Sequence, residues 1–163
     1  MIELLVVTAI MVLLFGLAIA SHRAGQKKYI LSQATQGLVS DLRKAQNMAM
    51  SGVDIEAEQY DGYGIYAGKD DIFYIIYADK NGNSSYQPSD TTIETIDLPD
   101  RIKISSVSPL ANKVDIFFEP PDPTTYIDAN DGAGVSGTIT LELEGASLFK
   151  TITVTTAGLI YSN

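Results

Sequence analysis

Met1-Ile2-Glu3-Leu4-Leu5-Val6-Val7-Thr8-Ala9-Ile10-Met11-Val12-Leu13-Leu14-Phe15-Gly16-Leu17-Ala18-Ile19-Ala20 opens the chain, and its reading decides the fold. After Glu3 no charged residue occurs until the basic cluster that starts at His22 and holds Arg23, Lys27 and Lys28. A run of about 17 uncharged residues spans about 25 Å as a helix, enough to cross a thin hydrocarbon layer. An ionised carboxylate at the buried end of such a run is costly, so Glu3 asks for an interfacial position or a positive partner. A cleaved secretory signal fits less well. Ala18-Ile19-Ala20 loosely matches a cleavage site, but no basic residue precedes the apolar run and the helical pattern continues past it.

Gly16 and Gly25 are the only weak points for a helix in the first thirty residues, and no proline precedes Pro88. A near-continuous helix is expected to about Met50, some 75 Å long. Beyond the basic cluster the apolar run narrows to a stripe. Leu31, Leu38 and Ala45 recur at seven, with Leu42 and Ala49 interleaved, while Ser40, Asp41, Arg43, Lys44, Gln46 and Asn47 take the wet side. The stripe is too short for a sustained coiled coil and reads as packing on the chain's own sheet, with Gly52 as the C-terminal cap.

From about Tyr60 the period switches to strands. The expected strands are 62–67, 72–77, 92–97, 101–107, 113–119, 138–144 and 148–155, with strict apolar–polar alternation in 138–144 and 150–155. Pro120 to Gly137, with three of the six prolines, reads as a surface loop.

The 163 residues carry 11 Lys and Arg against 20 Asp and Glu, a formal charge of −9. The acid is concentrated after residue 50, and an acidic head gains nothing from counterion release on a phosphate backbone, so no nucleic-acid partner is expected. There is no cysteine, which excludes disulfides, thiolate catalysis and Cys-ligated zinc. The one histidine, His22, stands beside the apolar run without a partner in sequence, and no Gly-x-Ser-x-Gly elbow or phosphate loop occurs. No catalytic residues are therefore assigned, and the chain reads as a non-enzyme.

The most specific polar pattern is Asp79-Lys80-Asn81-Gly82-Asn83-Ser84-Ser85-Tyr86-Gln87-Pro88-Ser89-Asp90. Asp79, Asn81, Asn83, Ser85, Gln87 and Asp90 fall at the first, third, fifth, seventh, ninth and twelfth places, as in an EF-hand or dockerin-type calcium loop that surrounds a hard cation with oxygens. Ser84 replaces the glycine of the sixth place, and the preceding segment reads as a strand. A plain Asn81-Gly82 hairpin turn is the competing explanation. A bound Ca2+ would be structural, stapling the loop; no cofactor is otherwise required. Asn83-Ser84-Ser85 also fits a glycosylation sequon.

Ile2-Glu3-Leu4-Leu5-Val6-Val7-Thr8-Ala9-Ile10 resembles the start of a type IV pilin or type II secretion pseudopilin. The helix Leu38 to Gly52, the strands after it and the closing Ile152 to Gly158 are similar to the GspH/FimT branch. The resemblance implies an α+β, pilin-like fold: a long N-terminal helix packed by its C-terminal half on an antiparallel β-rich head. Residues 1–28 would be the membrane and filament-core helix, and 29–163 the head, made of the helix half 29–52 and the sheet region 60–163. It implies a structural subunit of a type IV pilus-like helical filament, a homo-oligomer joined through that helix. Met1, Glu3, Leu4, Leu5, Val6 and Gly16 would be the assembly residues, with Glu3 meeting a neighbour's N-terminal amine. The subunit would be held in the inner membrane before assembly, handled by pilus or secretion machinery, and then exposed at the cell surface. The alternative is a minor pseudopilin of a periplasmic type II secretion pseudopilus. A DNA-capturing minor pilin fits less well, since Lys150 is the only basic residue after Lys113; a membrane-anchored carbohydrate-binding domain would have to use the tyrosines as stacking surfaces. In the family the glutamate is fifth in the mature chain and a proline stands about seventeen residues later. Here the acid is third, so either two residues and a leader peptide are missing upstream or the N-terminus is atypical, and Ala20 occupies the place of the proline, which leaves Gly16 as the soft point of the helix.

Overall fold

The computed structural model describes residues 2–52, 60–121, 124–132 and 134–163, and leaves the side chains of 17–24 outside that description. The acidic stretch expected to link helix and sheet, from Val53 onward, also lies outside the described residues as far as residue 59.

Helix α1 runs Ile2–Ser51, and Gly52 ends it with φ +56°, a left-handed step that glycine takes without a side-chain penalty. The chain divides into two compact units, Met1–Ile30 and Leu31–Asn163. Within the first, the described side chains of the apolar run are exposed, including Ile2 at 78%, Leu4 at 72% and Phe15 at 69%. No helix among the described residues is long and apolar enough to cross a membrane.

Among the described residues the second unit holds nine antiparallel strands: β1 Gly62–Gly68, β2 Phe73–Asp79, β3 Thr91–Asp97, β4 Ile102–Ser108, β5 Lys113–Glu119, β6 Thr124–Ile127, β7 Ser136–Leu143, β8 Leu148–Thr155 and β9 Ile160–Ser162. They form a five-stranded sheet in the order β3-β2-β1-β5-β6 and a four-stranded sheet in the order β4-β7-β8-β9. The pilin-like α+β expectation, one β-rich head carried by a dominant helix, is corrected by this topology. The body is a predominantly β structure of two sheets, and strands supply most of its core. From α1 come Leu31, Ala34, Leu38, Leu42, Ala45 and Ala49; every other described buried hydrophobic except Tyr60 lies on a strand. The reason is in the alternation. Ile139, Leu141 and Leu143 on β7 and Ile152 and Val154 on β8 form an apolar face that only another layer of comparable area can cover.

Two strands were hidden from the sequence. Thr124–Ile127 falls inside the stretch read as a loop, yet it pairs with β5 from Ile116↔Ile127 to Glu119↔Thr124. Ile160–Ser162 adds an edge to β8. Both are shorter than the period-2 pattern needs to show itself.

The five-stranded sheet is buried on both faces. Ile65, Ile76, Ile116 and Ile127 share a register row on the core side, while Gly64, Tyr77, Phe117 and Tyr126 share one on the other. Gly64 is the hinge of that second row, because a Cβ there would lie 2.6 Å from Cζ of the buried Tyr77 ring. Gly64→Ala is therefore expected to lower stability by about 1–3 kcal/mol through overpacking, read as a fall in the denaturant midpoint at unchanged slope. A midpoint equal to that of the parent would show that the ring has room to move.

Candidate functional site

The outer face of the five-stranded sheet carries the most developed polar arrangement among the described residues. Tyr66 on β1, Tyr77 on β2, Asp115 and Phe117 on β5 and Tyr126 on β6 all point to this side, since their register partners do. The loop from Lys80 to Asp90 folds over them. Tyr86 places its ring 5.0 Å from that of Tyr66 and 5.2 Å from that of Tyr77, and the row continues through Phe117 at 6.5 Å and on to Tyr126 at 6.1 Å. These separations are those of favourable tilted and offset ring pairs.

Asp115 anchors the loop. Its Oδ1 accepts the Tyr77 hydroxyl at 2.6 Å, and its Oδ2 accepts the Ser85 hydroxyl at 3.0 Å and the Tyr86 N–H at 2.7 Å. Its own N–H donates to Asp128 Oδ1 at 2.9 Å, whereas Asp128 Oδ2 is buried without a partner. Burial pushes the Asp115 carboxyl up, and the bonds from Tyr77, Tyr86 and Ser85 with the charge of Lys113 only partly oppose it. Burial raises Asp128 as well. The Tyr77 hydroxyl is pushed far above its ordinary range by burial first and then by Asp115, with Asp79 and Asp90 adding to it. At neutral pH that hydroxyl is a fixed donor, not an acid.

The six residues expected to ligate a cation come together in the same loop. Asp79, fully buried, accepts the N–H groups of Asn81 and Gly82 on Oδ1 and that of Ser84 on Oδ2. Asp90 accepts the N–H groups of Lys80 and Gln87. Asn81 Oδ1 and Asn83 Oδ1 each accept the N–H two residues on, and Gln87 Oε1 accepts the Asn81 amide at 3.4 Å. Ser84 takes φ +58°, the left-handed turn for which a calcium loop uses glycine at its sixth place. The backbone thus bends as the pattern requires, while all four carboxylate oxygens of Asp79 and Asp90 already hold amides. Among the described residues no group of three or more His, Cys, Asp or Glu converges as a metal cage.

Asp115, Asp128, Tyr77 and Tyr86 were not singled out in the sequence. The available signal was Val114-Asp115-Ile116-Phe117-Phe118, where an acid shares a strand face with a large aromatic and so belongs to a covered face.

The assembly residues lie in the other unit. Met1 is outside the described residues. Glu3 is exposed in the first turn of α1 and pairs with no described residue; Leu5 and Val6 are 68% and 51% exposed, and a Cβ at Gly16 would meet no atom within 4 Å. His22, whose side chain is outside the description, cannot be placed.

No protein-family model matches the chain, and neither does any curated protein or solved structure.

Two outcomes are expected of the loop. Because Asp115 and Asp128 hold their protons more tightly folded than unfolded, their contribution to stability is full below their ordinary value of 3.8 and is lost as pH rises through the raised values. Thermal midpoints should rise as the pH is lowered through those raised values toward 3.8, and Asp115→Asn should flatten that slope. At the lower pH the same variant should cost about 1–3 kcal/mol, since its amide cannot accept both the Tyr77 hydroxyl and the Tyr86 N–H. Since backbone amides already satisfy the loop acids, the melting midpoint should be the same in chelator and in millimolar calcium. A rise in calcium would show that the remaining lone pairs coordinate the ion.

Proposed function

We propose that this chain is a structural subunit of a type IV pilus-like helical filament, joined to its neighbours through the apolar helix segment 2–30. One observation carries the reading: the described large side chains from Ile2 to Phe15 are between 51% and 78% exposed, on a helix segment, 2–30, whose single acid, Glu3, stands at its start. A helix oily all round is stable only when something apolar encloses it. Fully burying each such side chain contributes about 1.5–3 kcal/mol, so a bundle of these segments holds together strongly. The inner membrane would store the segment before assembly, and the assembly machinery would pass it to the filament core at the cell surface. A periplasmic pseudopilus would use it in the same way.

Glu3 then has a role that hydropathy alone denies it. Inside an apolar bundle its carboxylate is tolerated when a cation meets it, and a neighbour's terminal amine is such a cation. The outer-face cluster supports a structural role, because the groups that would otherwise do chemistry, Tyr77 and Asp115, are bound to one another and to the loop above them.

Glu3→Leu is expected to leave the melting of the body unchanged while the yield of filaments sheared from cells falls at least tenfold, about 1.4 kcal/mol in assembly free energy. Filaments in undiminished amount would remove the carboxylate from the assembly step.

A further inference from the structure

The body carries a groove that its own chain does not explain. It has a volume of about 220 Å3 and lies where α1 crosses the end of β3, lined by Gly37, Asp41, Tyr74, Ile96, Asp97 and Pro99 among others. Its floor is apolar. Its rim is acidic: Asp97 is exposed, and Asp41 accepts the Tyr74 hydroxyl on Oδ2 at 2.5 Å while its other oxygen meets no donor among the described residues. The nearby Lys44 is already paired with Glu94 at 2.7 Å.

Gly37 is the unexplained residue. It sits exposed in mid-helix, where glycine weakens a helix relative to alanine. Its φ is not left-handed, and a Cβ added there would meet nothing within 4 Å. Neither turn geometry nor internal packing asks for it. What an exposed glycine in a groove provides is close approach for another backbone.

The same chain carries a segment of matching character. From Gly25 to Ile30 the helix has no acid, two cations at Lys27 and Lys28, and Tyr29 at 70% exposure. A Cβ at Gly25 would also meet nothing within 4 Å. The charges divide accordingly. Residues 31–163 hold eight Lys and Arg against nineteen Asp and Glu, whereas residues 1–30 hold three against one.

We propose that this groove is an interface for a second copy of the chain, seating the Gly25–Ile30 helix segment of a neighbour with Lys27 and Lys28 against Asp41 and Asp97. The inference deepens the filament reading and rests on it. The contact is heterologous, groove of one copy to helix of the next, so it propagates instead of closing on a dimer. Opposite charges set its register, and their attraction weakens as salt screens it.

The absence of cysteine gives a clean background for a test on the full chain. With Lys28→Cys and Asp97→Cys combined, mild oxidation of assembled filaments should give a ladder of disulfide-linked oligomers, each chain bonded to two others. Lys28→Cys with Lys69→Cys serves as the control pair and should give none. Gly37→Leu should keep or raise the melting midpoint of the body while lowering filament mass at least tenfold. Filaments that form normally but show no ladder, a ladder from the control pair instead, or an intrachain bridge running as a monomer would each overturn the groove as the seat. An unsubstituted chain that forms no filaments would overturn the filament reading itself.

Discussion

A β-sheet with large apolar side chains on both faces must be covered twice, and the five-stranded sheet of this protein is such a sheet. One face, with Ile65, Ile76 and Ile116, is met by the second sheet and by the helix residues from Leu31 to Ala49. The other, with Tyr77 and Phe117, is met by the loop from Lys80 to Asp90, whose Tyr86 ring lies 5.2 Å from that of Tyr77. An irregular loop makes a poor lid because its backbone polar groups need partners once water is excluded. Here the partners are carboxylates: Asp79 and Asp90 take the loop's own N–H groups, and Asp115 reaches up from the sheet to take the N–H of Tyr86. Burying those acids is unfavourable in itself, as the raised Asp115 shows, and the aromatic area covered by the same closure offsets the cost.

That arrangement also explains what was legible in the sequence and what was not. Strict alternation in 138–144 and 150–155 marked β7 and β8, and the heptad stripe marked the buried face of α1, because each repeats often enough for a period to be counted. Thr124–Ile127 and Ile160–Ser162 are too short for that; they exist because β5 and β8 offered unpaired edges, which only the assembled sheets reveal. The polar pattern of 79–90 was readable as a run of oxygens at alternate places. Its main anchor was not, since Asp115 is twenty-five residues beyond the end of the loop in sequence and is brought beneath it only by the pairing of β1 with β5. The fold class went astray for a related reason. A long apolar helix dominates any reading of the first fifty residues, while the division of the strands into two sheets depends on contacts distant in sequence, such as the hydrogen bonds between Asp70, Asp71 and Ile104.

The two units of the chain therefore face opposite problems. Residues 31–163 close their core from within, down to a loop that secures its own amides. In residues 2–30, by contrast, every described large hydrophobic from Ile2 to Phe15 is exposed. Hydrophobic association alone would satisfy those side chains in any bundle, parallel or antiparallel, because apolar contact has little directional preference. Direction must come from polar features: an acid at one end of the segment, Glu3, and cations at the other, Lys27 and Lys28. A segment marked in this way is vectorial. Stacked against a body with a large excess of acid, it admits one orientation more readily than the reverse, and repetition of a single oriented, non-closing contact is sufficient to generate a filament.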